Sequence, residues 1–423
     1  MGVKVAVIGA GSTYTPELVE GFVTRGDRLR VDHLTLLDTD AERLDIVGGL
    51  AARMMAKAGW TGELELTGDR DLALEGAHFV ICQLRVGGQA ARFVDETLPL
   101  RFGCIGQETT GPGGFAKALR TVPVVLELAE ETARRGASDA WFIDFTNPVG
   151  IVTQALLDEG HRALGLCNVA IDIQRRVAQE FGVDPSRVRL EHVGLNHLSW
   201  ERAVFVDEED VLPAMLDDRA DELAELVEMP ADLLRLLRAI PSSYLRYYYM
   251  TSRVLQEQRT HPSRAEEVMA IERGLLDLYK DPSLDSKPEL LGQRGGAFYS
   301  EAAAQLVTSL SAGAGDVQVV DVRNGAAMPD LPGDAVVEVP ARIERDGAHP
   351  LPLAPLAPEM LGLVQAAKAY ERLAAAAAIT GSRDVALRAL LANPLVDGYD
   401  TAVALLDPLL EANREHLPRF FPG

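Results

Sequence analysis

Short apolar runs and amphipathic stretches take turns along the first half of the chain. Val3-Lys4-Val5-Ala6-Val7-Ile8 reads as a buried strand and stops at Gly9-Ala10-Gly11-Ser12. Apolar positions then recur at helical spacing from Pro16, with Thr15 as capping residue and the proline in the first turn. The same alternation predicts strands over 33–37, 63–67, 78–84, 141–145, 163–168 and 188–195, with helices over 41–58, 116–135 and 170–181 between them. The run 78–84 is apolar at almost every position, as a strand covered on both faces must be. Consecutive βα units of this kind build a right-handed, doubly wound sheet. The expectation is an α/β chain with a Rossmann-type doubly wound parallel sheet over 1–195 and a mixed α+β, largely helical second domain over 196–423.

Beyond 195 the pattern turns helical and acidic over 214–228 and reaches a tyrosine-rich run, Tyr244-Leu245-Arg246-Tyr247-Tyr248. Helices are predicted over 264–279, 299–310, 358–380 and 383–392, the third alanine-rich and suited to close helix packing. A strand is predicted over 317–322, and proline-broken strands over 336–356. Arg294-Gly295-Gly296 stands ahead of the 299–310 helix. The glycine-rich stretch 106–115 reads as a mobile loop near a cofactor, or as an ordinary surface loop.

Composition narrows the class. The 423 residues are 47% hydrophobic and 25% charged, ordinary for a globular enzyme. The formal charge of -22 argues against a nucleic-acid partner, while a few placed arginines still suffice for a small anion. Three scattered cysteines make no disulfide framework, and no apolar run is long enough to span a membrane. With no leader pattern ahead of the first strand, a cytoplasmic protein is expected.

The candidate chemistry lies where predicted strands end. Gly9-Ala10-Gly11 between a strand and a helix suits close approach to a pyrophosphate, and Asp38 at the end of the next strand suits a ribose hydroxyl. A tight βα turn gives the same letters, and Tyr14 stands where a third glycine would be. Cys167 and His197 each follow a short apolar segment. Singly they suit core filling and a backbone hydrogen bond; together at one sheet edge they suit a metal with open coordination positions. Tyr244, Tyr247 and Tyr248 at helical spacing suit packing, or a base at Tyr244 if a metal or Arg246 lowers its pKa. Arg85, Asn147, Arg246, Arg264 and Arg294 suit an anionic substrate, against surface ion pairs for the arginines and a turn cap for Asn147.

These segments in combination resemble glycoside hydrolase family 4. The resemblance rests on Gly9-Ala10-Gly11-Ser12-Thr13-Tyr14-Thr15-Pro16, Ile105-Gly106-Gln107-Glu108-Thr109-Thr110-Gly111, Phe145-Thr146-Asn147-Pro148, Gly165-Leu166-Cys167-Asn168-Val169, Gly194-Leu195-Asn196-His197-Leu198-Ser199 and the Tyr244 segment, spread from Val3 to Ala392. It implies a fold like that of lactate and malate dehydrogenases, and hydrolysis of 6-phospho-β-glucosides by an NAD-dependent exception to two-carboxylate chemistry. The implied route oxidises the sugar at C3, removes the C2 proton, eliminates the aglycone, adds water and reduces the ketone again. The resemblance assigns NAD+ to Gly9, Gly11, Ser12, Thr13, Asp38 and Glu108, and Mn2+ or another divalent metal to Cys167 and His197. It makes Tyr244 the C2 base and gives Arg85, Asn147, Asn168 and Arg294 to the substrate. In α-acting members an aspartate at position 168 resembles a leaving-group acid; asparagine cannot donate that proton, which favours β-glycosides. It also implies a homodimer or homotetramer acting on a small sugar glycoside, with the sugar 6-phosphate expected. Two other readings are an NAD oxidoreductase of the lactate dehydrogenase type with net redox turnover, and a nucleotide-binding sensor. Members acting on α-linked, unphosphorylated or uronate glycosides share the core motifs.

Overall fold

The computed structural model describes residues 2–295 and 298–422; Gly296 of the segment ahead of the helix Tyr299–Ala312 lies outside them. Strands β1 (Val3–Ile8), β2 (Val31–Leu37), β3 (Glu63–Thr67), β4 (Phe79–Cys82), β5 (Trp141–Asp144) and β6 (Ala163–Gly165) pair in parallel in the order 3-2-1-4-5-6. This is the doubly wound Rossmann arrangement, with its crevice where the order reverses between β1 and β4.

Side chains alternate along the strands, and each face is buried under helices. Val5 and Val7 of β1 join Ile81 and Ile143 in a core shared with the helices Thr15–Val23, Ala41–Lys57 and Val169–Phe181. Ala6 and Ile8 join Val80 and Phe142 in a second core under Gly111–Arg135, Pro358–Thr380 and Gly398–Ala412.

The remaining strands are β7 (Val188–Leu195), β8 (Leu198–Val206), β9 (Glu209–Asp210), β10 (Ile240–Pro241), β11 (Val317–Arg323), β12 (Val336–Glu344) and β13 (Gly347–Pro350). β11 adds antiparallel to β6, with Asp321 opposite Gly165, and β12 and β13 follow it outward to complete nine strands. The C-terminal half therefore finishes the sheet that the N-terminal half begins. β7 to β10 form a separate antiparallel sheet, and its β7 packs on β12.

Two expectations differ from what is observed. The stretch 106–115 is a loop only in its first half, where Gln107, Glu108 and Thr109 line the crevice; its second half is the buried start of the helix Gly111–Arg135. A Cβ on Gly113 would stand 2.3 Å from the Asp95 carbonyl oxygen and 2.4 Å from that of Gln107, so this glycine permits close backbone packing. The helix Gly398–Ala412 is absent from the sequence reading because Pro408 interrupts its pattern. Among the described residues no helix is long and apolar enough to cross a membrane.

Candidate active site

A cavity of about 900 Å³ opens along the C-terminal edge of the parallel strands. The loop after β1 brings Gly9, Gly11 and Ser12 to it, and the ends of β2, β4 and β5 bring Asp38, Arg85 and Asn147. Glu108, Asn168, Tyr244 and Arg294 line it as well. Thr13 does not; it is fully buried behind the loop, where its carbonyl accepts from the Tyr279 hydroxyl at 2.8 Å.

Gly9 has φ 83°, and a Cβ there would sit 2.8 Å from the Leu84 backbone. Asp38 accepts from the Gly11 amide at 2.7 Å, which ties the glycine turn to the end of β2.

Cys167 and His197 do not line the cavity themselves; both are buried, 6% and 2% exposed, next to its lining residues Asn168 and Tyr244. Cys167 follows β6, whereas His197 comes from the other sheet, in the two-residue connection between β7 and β8. Tyr244 adjoins both. Its ring stacks on the His197 imidazole with centroids 3.6 Å apart, and it lies close enough to Cys167 for the thiol's charge to act on its hydroxyl. The Ser242 amide donates to the Ser199 carbonyl at 2.9 Å, fixing the Tyr244 turn beside β8.

Both ring nitrogens of His197 are buried without a hydrogen-bond partner. Burial pushes its pKa down to about 4, so the ring is neutral and offers a lone pair. Burial and the nearby Glu338 carboxylate push the Cys167 thiol well above its ordinary range. A buried orphan imidazole and a buried thiol, each next to Tyr244, suit a soft-to-borderline divalent ion best and would hold a harder one such as Mn2+ only modestly; either ion would deprotonate the sulfur on binding. Among the described residues no group of three or more His, Cys, Asp or Glu side chains is placed to hold a metal, so an ion here takes fewer protein ligands than a structural site.

Glu108 is ringed by cations. Both guanidinium ends of Arg85 bond it, one at 3.2 Å, Lys117 donates at 2.7 Å, and Arg92 stands 3.3 Å away. Burial opposes its charge, but Arg85, Lys117 and Arg92 together hold the carboxyl well below its usual range. Burial and Arg85 bring Lys117 down to about 7 despite Glu108. Arg294 is held by Glu272 at 2.9 Å and lies over the Tyr14 ring. Arg246 pairs with Glu228 and Glu257, and Arg264 with Glu267. The cavity lining has eight lysines and arginines to six carboxylates, while the chain has 41 to 63; the local balance suits an anion.

Lys117, Arg92 and Tyr299 were not singled out from the sequence. Tyr299 packs edge-on against Phe145, and its hydroxyl faces Cys167 and Asn147. Its position at the start of a helix gave no signal.

The crevice at the strand-order reversal of a doubly wound sheet, with its glycine turn and Asp38, defines a Rossmann-type nucleotide-binding fold. The chain belongs to the family 4 glycosyl hydrolases: the family model matches residues 4–183, and the model of the family's C-terminal domain matches 192–396. It is 44% identical to a probable 6-phospho-β-glucosidase of Bacillus subtilis, over 99% of this chain and 98% of the relative. It is similar to the solved structure of the 6-phospho-β-glucosidase of Thermotoga maritima with manganese, NAD+ and glucose-6-phosphate, at 37% identity and a TM-score of 0.93 over 98% of this chain and 99% of that one. The lactate dehydrogenase of Cryptosporidium parvum shares the fold alone, at 16% identity and a TM-score of 0.54 over 89% of this chain and 98% of that one.

Proposed function

We propose that this chain is an NAD+- and divalent-metal-dependent glycoside hydrolase that cleaves 6-phospho-β-glucosides. The observation that carries the reading is the buried imidazole of His197, both nitrogens free of partners, stacked on Tyr244 beside the crevice. Cys167 and His197 would hold the ion, manganese by likeness to the Thermotoga enzyme. The Gly9–Ser12 turn, Asp38 and Glu108 would hold NAD+, with Thr13 buried behind the turn and supporting it. When bound, these groups supply hydride exchange at the sugar carbon bearing O3 and Lewis acidity toward the neighbouring hydroxyl oxygens.

The chain's own residues do the rest. Tyr244 takes the C2 proton at its hydroxyl oxygen. Burial and Cys167 raise its pKa, so it acts as a base only where positive charge offsets them, and Arg92 already contributes in that direction. Arg85, Asn147, Asn168 and Arg294 orient the sugar and its phosphate, with Glu108 and Glu272 holding the two arginines in place. Asn168 cannot donate a proton as a carboxylic acid does, which supports a β-linked substrate. The three buried free cysteines suit the cytoplasm, and the exposed Leu391, Tyr399 and Val403 suit an interface within a homodimer or homotetramer.

The test is release of p-nitrophenol from its β-glucoside 6-phosphate, with NAD+ and Mn2+ each present or omitted under reducing conditions. Release requiring both, without accumulation of NADH, is expected. Release without either overturns the reading, and steady NADH accumulation would place the chain with the dehydrogenases.

A further inference from the structure

Four buried polar side chains form one line of hydrogen bonds behind the Cys167–His197 pair. Glu201 on β8 meets His192 Nδ1 at 2.7 Å, and His192 Nε2 meets Glu338 of β12 at 2.8 Å. The second Glu338 oxygen accepts from the Asn196 amide at 2.9 Å. Glu201, His192 and Glu338 are each no more than 1% exposed. Two sheets need only apolar side chains to pack, and burying charged groups is costly unless they are paired, so this line calls for a reason beyond cohesion.

Its end point gives one. Leu195 pairs with Leu198, so Asn196 and His197 are the entire turn between β7 and β8. His197 has φ 61°, a left-handed backbone that side chains other than glycine seldom adopt. The turn is tight as well: a Cβ on Gly194 would lie 2.3 Å from the Leu198 carbonyl oxygen. The turn fixes where the imidazole points, and the Asn196 side chain ties the turn to Glu338. That glutamate stands on the nine-stranded sheet, whose β6 leads directly into Cys167. One carboxylate thus joins the sheet carrying one ligand to the turn carrying the other. An ion held by two protein ligands has no third to absorb an error in their spacing.

We propose that Glu338 is a positioning residue for the divalent ion, locking the Asn196–His197 turn against the Cys167 sheet, with His192 and Glu201 holding Glu338 in place. This rests on the metal reading given above. Groups that orient metal ligands commonly set affinity, and Glu338 acts one residue removed, through Asn196.

The test is Mn2+ binding to the intact protein, read from the electron paramagnetic resonance signal of free Mn2+, for wild type and Glu338→Gln. NAD+ affinity and melting temperature are measured alongside. The expected result is Mn2+ affinity weakened by about 10- to 100-fold, with NAD+ affinity unchanged and turnover recovering as Mn2+ is raised past the new dissociation constant. Unchanged Mn2+ affinity with a lowered melting temperature overturns the proposal and leaves the line a packing device. A wild-type protein that takes up no Mn2+ overturns the metal reading and this proposal together. Should Glu338→Gln not fold, Asn196→Ala cuts the same link while leaving the His192 bonds in place, and the same weakening is expected.

Discussion

The Tyr244 ring lies flat on the His197 imidazole, with centroids 3.6 Å and planes 9° apart. Phenylalanine keeps that stack and removes only the hydroxyl. Tyr244→Phe is therefore expected to bind Mn2+ and NAD+ as wild type does, while turnover falls by about 100- to 10,000-fold, the usual contribution of a positioned acid or base. Steady-state kinetics beside direct binding of both cofactors check this. A loss of Mn2+ binding would mean that the hydroxyl itself holds the ion.

The proposed ligands Cys167 and His197 should respond to pH through the sulfur alone. His197 is neutral above about 4, whereas the Cys167 thiol is held protonated by burial and Glu338. Uptake of the ion must then release one proton, from Cys167. Mn2+ affinity is expected to rise about tenfold per pH unit between about pH 6 and 8. Titrations at several pH values give the slope. Cys167→Ser should lose most of the affinity, and a flat wild-type profile would remove the thiol from the ligand set.

His192 makes the opposite kind of prediction, about stability. Burial disfavours its charge, yet Glu201 and Glu338 raise its pKa to about 10 from an ordinary 6.5. A base raised on folding stabilises the fold fully below its unfolded pKa, and that contribution is lost as pH climbs through the folded value. The urea midpoint of the metal-free protein should therefore fall between pH 6.5 and about 10, and fall less steeply in His192→Gln. Equal slopes for the two proteins would mean that His192 is neutral in the fold.

Gly113→Ala tests the buried start of the helix Gly111–Arg135. The added methyl would meet the Asp95 and Gln107 carbonyl oxygens at 2.3 and 2.4 Å, so the helix start or the Glu108 segment must move. A destabilisation of about 1–3 kcal/mol is expected from such overpacking, together with weaker NAD+ binding. Chemical denaturation and NAD+ titration read the two effects.

What the sequence revealed and what it hid divide along a physical line. Asp38, Arg85 and Asn147 each follow an apolar strand, and parallel strands all end at one edge, so their convergence on the crevice follows from local pattern alone. Lys117 sits in a run of alanines and glycines that looks like any helix face, and only the fold turns it toward Glu108. Glu338, in Val-Val-Glu-Val-Pro, occupies what looks like the outward position of an alternating strand; its partner His192 is 146 residues away, on a sheet whose placement no local pattern encodes. The stretch 106–115 reads as loop because a glycine that permits flexibility and one that permits contact, as Gly113 does, are the same letter.

The seam between β6 and β11 has a consequence for how the chain can be divided. The two family models part between residues 183 and 192, and that gap invites a cut. A fragment ending there would leave the outer edge of β6 bare, because the strand that covers it begins at Val317. A bare strand edge recruits other chains. Exchanging halves between relatives would accordingly transplant one side of a hydrogen-bonded ladder, and such a chimera would stand or fall on whether the new β11 matches the old β6.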